Sequence, residues 1–141
     1  MYDLHNNVKV LRTISPVAIG TTGTGQTGKI IDRAGYEAVE FTAEYGSITA
    51  TNAVFTLTVK EGDVTGTMTS VADADLIGTE AAASPGTGAR TSGTTKNVTK
   101  RIGYKGAKRY VNVSIKSTVT AAVPIAANAI LGRARHNPLA T

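Results

Sequence analysis

The chain has no cysteine, no tryptophan, only seven aromatic residues in 141, and no acid anywhere after Glu80. Each absence closes a class of explanation. Without cysteine there are no disulfides, thiolate zinc sites or cysteine nucleophiles, and folding does not depend on an oxidising compartment. No stretch reaches the eighteen or more apolar residues of a membrane-spanning helix, and Met1 to Ile30 holds no apolar run of signal-peptide length. A soluble protein made in a reducing cytoplasm is therefore expected. Without tryptophan, a stacking platform for sugars would have to come from very few tyrosines and phenylalanines.

The missing acids divide the chain. Residues 81–141 carry ten bases and no acid, net +10, whereas residues 1–80 carry all ten acids and five bases (Lys9, Arg12, Lys29, Arg33 and Lys60), net −5. Such asymmetry suits nucleic acid, and it equally suits docking between subunits, where opposite patches steer encounter and set register. The length fits one domain, 1–141, able to bury roughly two-thirds of the surface that its unfolded form exposes.

What is present is mostly a period of two, the spacing of half-buried strands. In "YEAVEFTAEYG" Val39, Phe41, Ala43 and Tyr45 share one side, and Glu40, Thr42 and Glu44 the other. In "AVFTLTVKEGD" Ala53, Phe55, Leu57 and Val59 oppose Thr56, Thr58 and Lys60, and Glu61-Gly62-Asp63 reads as a turn. Residues 1–14 read as an extended arm or edge strand. "VADADLIG" reads as one helical turn capped by Asp73 and stopped by Gly78. Residues 79–97 have the composition of a long exposed loop.

"KRIGYKGAKRYVNVSIK" (100–116) holds six bases and no acid in seventeen positions. Ala107, Arg109, Val111, Val113 and Ile115 alternate there with Lys108, Tyr110, Asn112, Ser114 and Lys116, and Tyr104 to Ala107 reads as a turn between paired strands. Pro124 argues against an uninterrupted central strand in the last apolar segment, 119–132. Residues 132–141 read as a basic C-terminal tail. The expected fold is all-β: a two-sheet antiparallel β-sandwich or jelly roll of seven or eight strands with extended N- and C-terminal arms.

Several motifs fail on inspection. Gly23 to Lys29 matches both GxGxxG and the GxxxxGK of a phosphate loop, but Ile30 stands where the magnesium-binding hydroxyl belongs and no helix is expected to follow. His5 and His136 lie near the termini, where preorganised chemistry is poorly supported. Asp73 and Asp75 open like a calcium loop, but Ile77 and Ser84 occupy later ligand positions. Glu40 and Glu44 share a strand face without a visible partner to tune them. The sequons at Asn97 and Asn112 gain no support without a secretory route. Catalytic residues, a metal and a cofactor are accordingly not expected, and neither is enzymatic activity. For the basic stretch, Tyr104 and Tyr110 interleave with Lys105, Lys108 and Arg109 as a single-strand nucleic-acid site would require. Tyrosine is also an ordinary strand residue, so protein assembly is favoured over nucleic-acid binding.

Three blocks, "MYDLHNNVKVLRTISP", "VKEGDVTGTMTSVADADLIGT" and "RIGYKGAKRYVNVSI" followed by "LGRARHNP", resemble the small structural proteins of tailed bacteriophages encoded near the major capsid gene. The middle block and "KRYVNV" also resemble galactose-binding-type β-sandwich domains. The first resemblance implies a capsid decoration or cement protein, located in the virion, whose partners are the major capsid protein and further copies of itself. Lys105, Lys108, Arg109, Arg133 and Arg135 are the expected interface bases. A head–tail connector or tail component is the alternative within virions, and a glycan-binding host-attachment module is the alternative of another class.

Overall fold

A computed structural model describes residues 3–19, 25–86, 88–89, 91, 96–120 and 122–135. Among them are ten strands, one short 3-10 turn and no α-helix. The strands are β1 (Val8–Ala18), β2 (Gln26–Thr27), β3 (Ile31–Asp32), β4 (Tyr36–Tyr45), β5 (Phe55–Val64), β6 (Thr67–Ser70), β7 (Leu76–Ile77), β8 (Val98–Tyr104), β9 (Tyr110–Ser117) and β10 (Pro124–Ala134), with the turn at Asp73–Asp75. They form two antiparallel sheets. Sheet A runs β1-β10-β4-β8-β7; sheet B runs β2-β9-β5-β6, with β3 also pairing β9. The expected β-sandwich is the observed one.

The alternation in β4 and β5 does what its period demands. Val39, Phe41, Ala43 and Tyr45 face Phe55, Leu57 and Val59 across a core completed by Ile102, Tyr104, Val111, Val113, Ile115, Ile125 and Leu131, all buried. Each large side chain removed from water contributes about 1.5–3 kcal/mol, which identifies these inner faces as the main source of stability.

The two sheets meet along both lateral sides. On one, the Gly28 N–H donates to Val113 O of sheet B (2.8 Å) and the next residue, Lys29, donates to Thr13 O of sheet A (2.9 Å). Gly28 is required there, because a Cβ would lie 2.7 Å from Val113 O. On the other side, the 3-10 turn carries the chain from β6 to β7. The β5 edge beyond the reach of β6 is covered by side chains instead of a strand: Val59 N–H donates to Glu80 Oε1 (2.7 Å) and Leu57 N–H to Ser84 Oγ (3.0 Å).

Several local expectations need correction. Glu61-Gly62-Asp63 is strand, and the reversal lies at Thr65-Gly66. Gly62 serves close approach, since a Cβ there would sit 2.5 Å from Thr67 O at the β5–β6 register shift. Tyr104 to Ala107 does not join paired strands: β8 belongs to sheet A and β9 to sheet B, so the segment crosses between layers. Pro124 does not break the last segment; as the first residue of β10, it leaves the rest of the strand free to pair β1 and β4 along its length. Asp73 lies within the 3-10 turn, Ala72 occupies the cap without a side-chain bond, and the turn ends before Gly78.

Of the two readings of residues 1–14, residues 8–14 are edge strand. Gly132 to Ala134 still belongs to β10, while residues 136–141 of the expected tail lie outside the described residues. So do residues 20–24 of the Gly-rich stretch; the described part, Gly25 to Lys29, leads into β3 and not into a helix.

Candidate interaction surfaces

The crossover after β8 gathers most of the expected interface bases at one end of the sandwich. Its anchor is Tyr104, only 1% exposed, whose hydroxyl donates to Glu61 Oε2 on sheet B and accepts the Lys108 N–H at 3.0 Å. Burial, followed by the Glu61 hydrogen bond, pushes the Tyr104 phenol well above the ordinary tyrosine range. Arg33 lies over the same ring, 5.3 Å from its centroid, and donates to the carbonyls of Lys108 and Gly106, the latter at 2.7 Å. A Cβ at Gly106 would lie 2.5 Å from the Tyr104 hydroxyl, so the loop needs glycine to close over the phenol. Arg33, Tyr36, Glu37, Gly106, Arg109 and Arg135 line a cleft of about 490 Å³ beside this crossover.

The bases themselves are mostly matched. Arg109 grips Asp32 with two bonds, Nε to Oδ1 at 3.0 Å and Nη2 to Oδ2 at 2.7 Å, while stacking over Tyr110 at 5.1 Å. That pairing holds the Asp32 carboxyl below its usual range. Lys108 Nζ contacts Asp63 Oδ2 at 2.6 Å, Arg133 Nε contacts Glu37 Oε2 at 3.6 Å, and Arg101 Nε contacts Glu40 Oε1 at 3.8 Å. All four pairs join an acid from residues 1–80 to a base from residues 81–141. The charge division that suggested docking between molecules is thus answered in part within one chain, at four of the ten bases of residues 81–141. Exposed pairs of this kind add little stability; they give Lys108, Arg109 and Arg133 carboxylate neighbours within the chain. Lys105 and Arg135 are exposed and enter no ion pair among the described residues. Tyr104, being buried, offers no face for a nucleobase, and Arg109 already covers Tyr110. Asn112 of the second sequon is buried as well.

A second surface escaped the sequence reading. Strand register places Val10, Ile130, Glu40, Gly103 and Ile77 in one row across the solvent face of sheet A, from β1 to β7. Val10 and Ile77 are each 60% exposed. Desolvation by this surround raises the Glu40 carboxyl above its ordinary range, with Arg101 acting against the shift. Gly103 lets Glu40 lie flat, since a Cβ there would meet Glu40 Oε2 at 2.7 Å. The signal is spread over five strands with one residue in each, so no local window of sequence contains it.

No family model matches the chain, and no curated protein matches it in sequence. The solved structures that resemble the chain in layout include three from bacterial and prophage sources. The CBM22-1–GH10 modules of Clostridium thermocellum endo-1,4-β-D-xylanase 10B, complexed with xylohexaose, match 96% of this chain at 13% identity and a TM-score of 0.46. The chain spans only 30% of that polypeptide. The SPBc2 prophage-derived protein YomS matches 94% of this chain and all of its own, at 11% identity and a TM-score of 0.48. The CBM22-1 xylan-binding domain of Paenibacillus barcinonensis Xyn10C matches 90% of this chain and 83% of its own, at 16% identity and a TM-score of 0.43. At such identities the likeness concerns the arrangement of strands and carries nothing about binding.

Proposed function

We propose that this chain is a non-enzymatic structural protein of a tailed-phage virion, a decoration or cement subunit that lies on the major capsid protein through the solvent face of sheet A. The observation that carries the reading is the row Val10–Ile130–Glu40–Gly103–Ile77. Five strands at about 4.8 Å spacing make it roughly 19 Å wide. A strip of that kind suits a broad partner surface better than a small ligand, because packed apolar groups hold such complexes while rim charges set their register. The half-desolvated Glu40 at its centre supplies one fixed polar contact for a donor on the partner. The three sequence blocks that resemble phage structural proteins supply the kind of assembly. Nucleic acid is the weaker partner, given a buried Tyr104 and bases already paired to carboxylates.

The test is to locate the protein in particles. Cryo-electron microscopy is expected to show it on the outer capsid surface, and particles lacking it are expected to lose their genome at lower temperature while adsorbing normally. The double variant Val10→Ser/Ile77→Ser, changed only at exposed positions, is expected to fold and fail to join capsids. Density at the portal or tail would assign the connector alternative. Particles of unchanged heat resistance that fail to adsorb would assign the glycan-binding alternative.

A further inference from the structure

Among the charges outside the four ion pairs, two groups of opposite sign lie on opposite lateral sides of the sandwich. The side built by β1 and the β2–β3 segment carries Lys9, Arg12 and Lys29, all exposed and none in an ion pair among the described residues. Arg12 and Lys29 border a shallow depression of about 410 Å³ with Leu11, Ile30 and Ile31, and Ile30 is 37% exposed. The opposite side, where the 3-10 turn bridges β6 to β7, carries Asp73 and Asp75, likewise in no ion pair, beside the exposed Ile77. Lys105 flanks this side, its backbone N–H on the Asp75 carbonyl at 2.9 Å.

We infer that these two sides dock on each other in neighbouring copies, the Lys9/Arg12/Lys29 side of one chain against the Asp73/Asp75 side of the next. The occupant is a second copy because this chain itself carries both complementary surfaces, three bases on one side and two acids on the other, each with an exposed isoleucine beside it. Ladder formation between the copies is disfavoured. β1 has two register shifts and Pro16, and its Thr13 carbonyl is already taken by Lys29; β7 is only two residues long. Contact is therefore made by side chains. Because the two sides differ, the interface is heterologous, and repeating it yields a ring or an open row of copies. Long-range attraction steers the approach, and the exposed isoleucines supply the apolar contact.

Sedimentation velocity of the full chain tests this independently of any role in a virion. The wild-type protein is expected to self-associate with rising concentration at low ionic strength, and association is expected to weaken roughly tenfold as salt rises to about 0.15 M. The variants Lys9→Gln/Arg12→Gln/Lys29→Gln and Asp73→Asn/Asp75→Asn, each retaining wild-type circular dichroism, are expected to be monomeric alone. Mixed in equal amounts they are expected to give 1:1 dimers and nothing larger, because each retains one competent side. A wild-type chain that stays monomeric throughout overturns the inference, as does a mixture that forms no dimer or a single variant that assembles like wild type. A monomeric wild type whose triple Gln variant fails to join particles assigns the basic side to another protein, which also overturns it.

Discussion

Tyr104→Phe removes one oxygen atom from the interior and should test how the two sheets are tied at the crossover. The ring stays, so packing against the core is preserved. What is lost is a bond to the Glu61 carboxylate and an acceptor for the Lys108 N–H. A hydrogen bond to a charged group is worth about 1.5–3 kcal/mol net, and the freed amide adds little because water reaches Lys108. The expected loss is therefore about 2–3 kcal/mol. For a domain of this size a kilocalorie corresponds to roughly 3 °C, so Tm should fall by about 6–9 °C. Urea unfolding followed by far-ultraviolet circular dichroism measures the free energy, as the chain has no tryptophan to report on it. In a double-mutant cycle with Glu61→Ala, the two changes together should cost about 1–2 kcal/mol less than their separate sum. A Tyr104→Phe loss or a coupling energy below about 0.5 kcal/mol would refute the claim that this bond joins sheet A to sheet B.

Burial also raises the Tyr45 and Tyr104 phenols above the ordinary tyrosine value of 10.0. Stability from keeping both protonated is fully present below that value and is lost as pH rises through the folded-state values. Two of the five tyrosines should consequently ionise only with unfolding in a 295 nm titration, and full ionisation before loss of circular dichroism would contradict this. For Glu40, whose carboxyl is raised by desolvation, the same sign holds in the acid range: its contribution is intact below 4.5 and is lost as pH rises through the folded value. Glu40→Gln should therefore raise Tm at pH 7 but not at pH 3. An equal gain at both pH values would place the effect in packing instead of charge.

The inner faces of β4 and β5 were legible because one buried face against one wet face imposes a strict period of two, and each strand carries that information locally. The Val111, Val113 and Ile115 face of β9 shows the same alternation of apolar and polar residues, although Asn112 and Ser114 on its other face are buried too. Arg109 shares the alternation of Val111, Val113 and Ile115, yet it precedes the strand and bonds Asp32 at the surface. Pairing was far less legible. Tyr104 to Ala107 has hairpin composition, but β8 is claimed by β4 and β9 by β5, choices made by residues roughly fifty to sixty-five positions away. Pro124 misled because its cost depends on whether it begins a strand or interrupts one, which composition does not reveal. The cross-sheet row around Glu40 was invisible for a related reason, since it exists only once register is known.

Charge was the most instructive case. Taken along the chain, ten acids precede ten unopposed bases, and the natural conclusion is a molecule with two poles. Antiparallel pairing folds those halves onto each other: β4 lies between β8 and β10, bringing Glu40 to Arg101 and Glu37 to Arg133. The β9 approach brings Arg109 to Asp32 and Lys108 to Asp63. Three of the six bases of residues 100–116, Arg101, Lys108 and Arg109, thereby meet carboxylates of the same chain. The bases left for a partner on the β1 side are Lys9, Arg12 and Lys29, which belong to the acidic half. Linear charge asymmetry predicts an interaction surface only after the strands that neutralise one another have been identified; here Lys108, Arg109 and Arg133 meet carboxylates within the chain, while Lys105 and Arg135 enter no ion pair among the described residues.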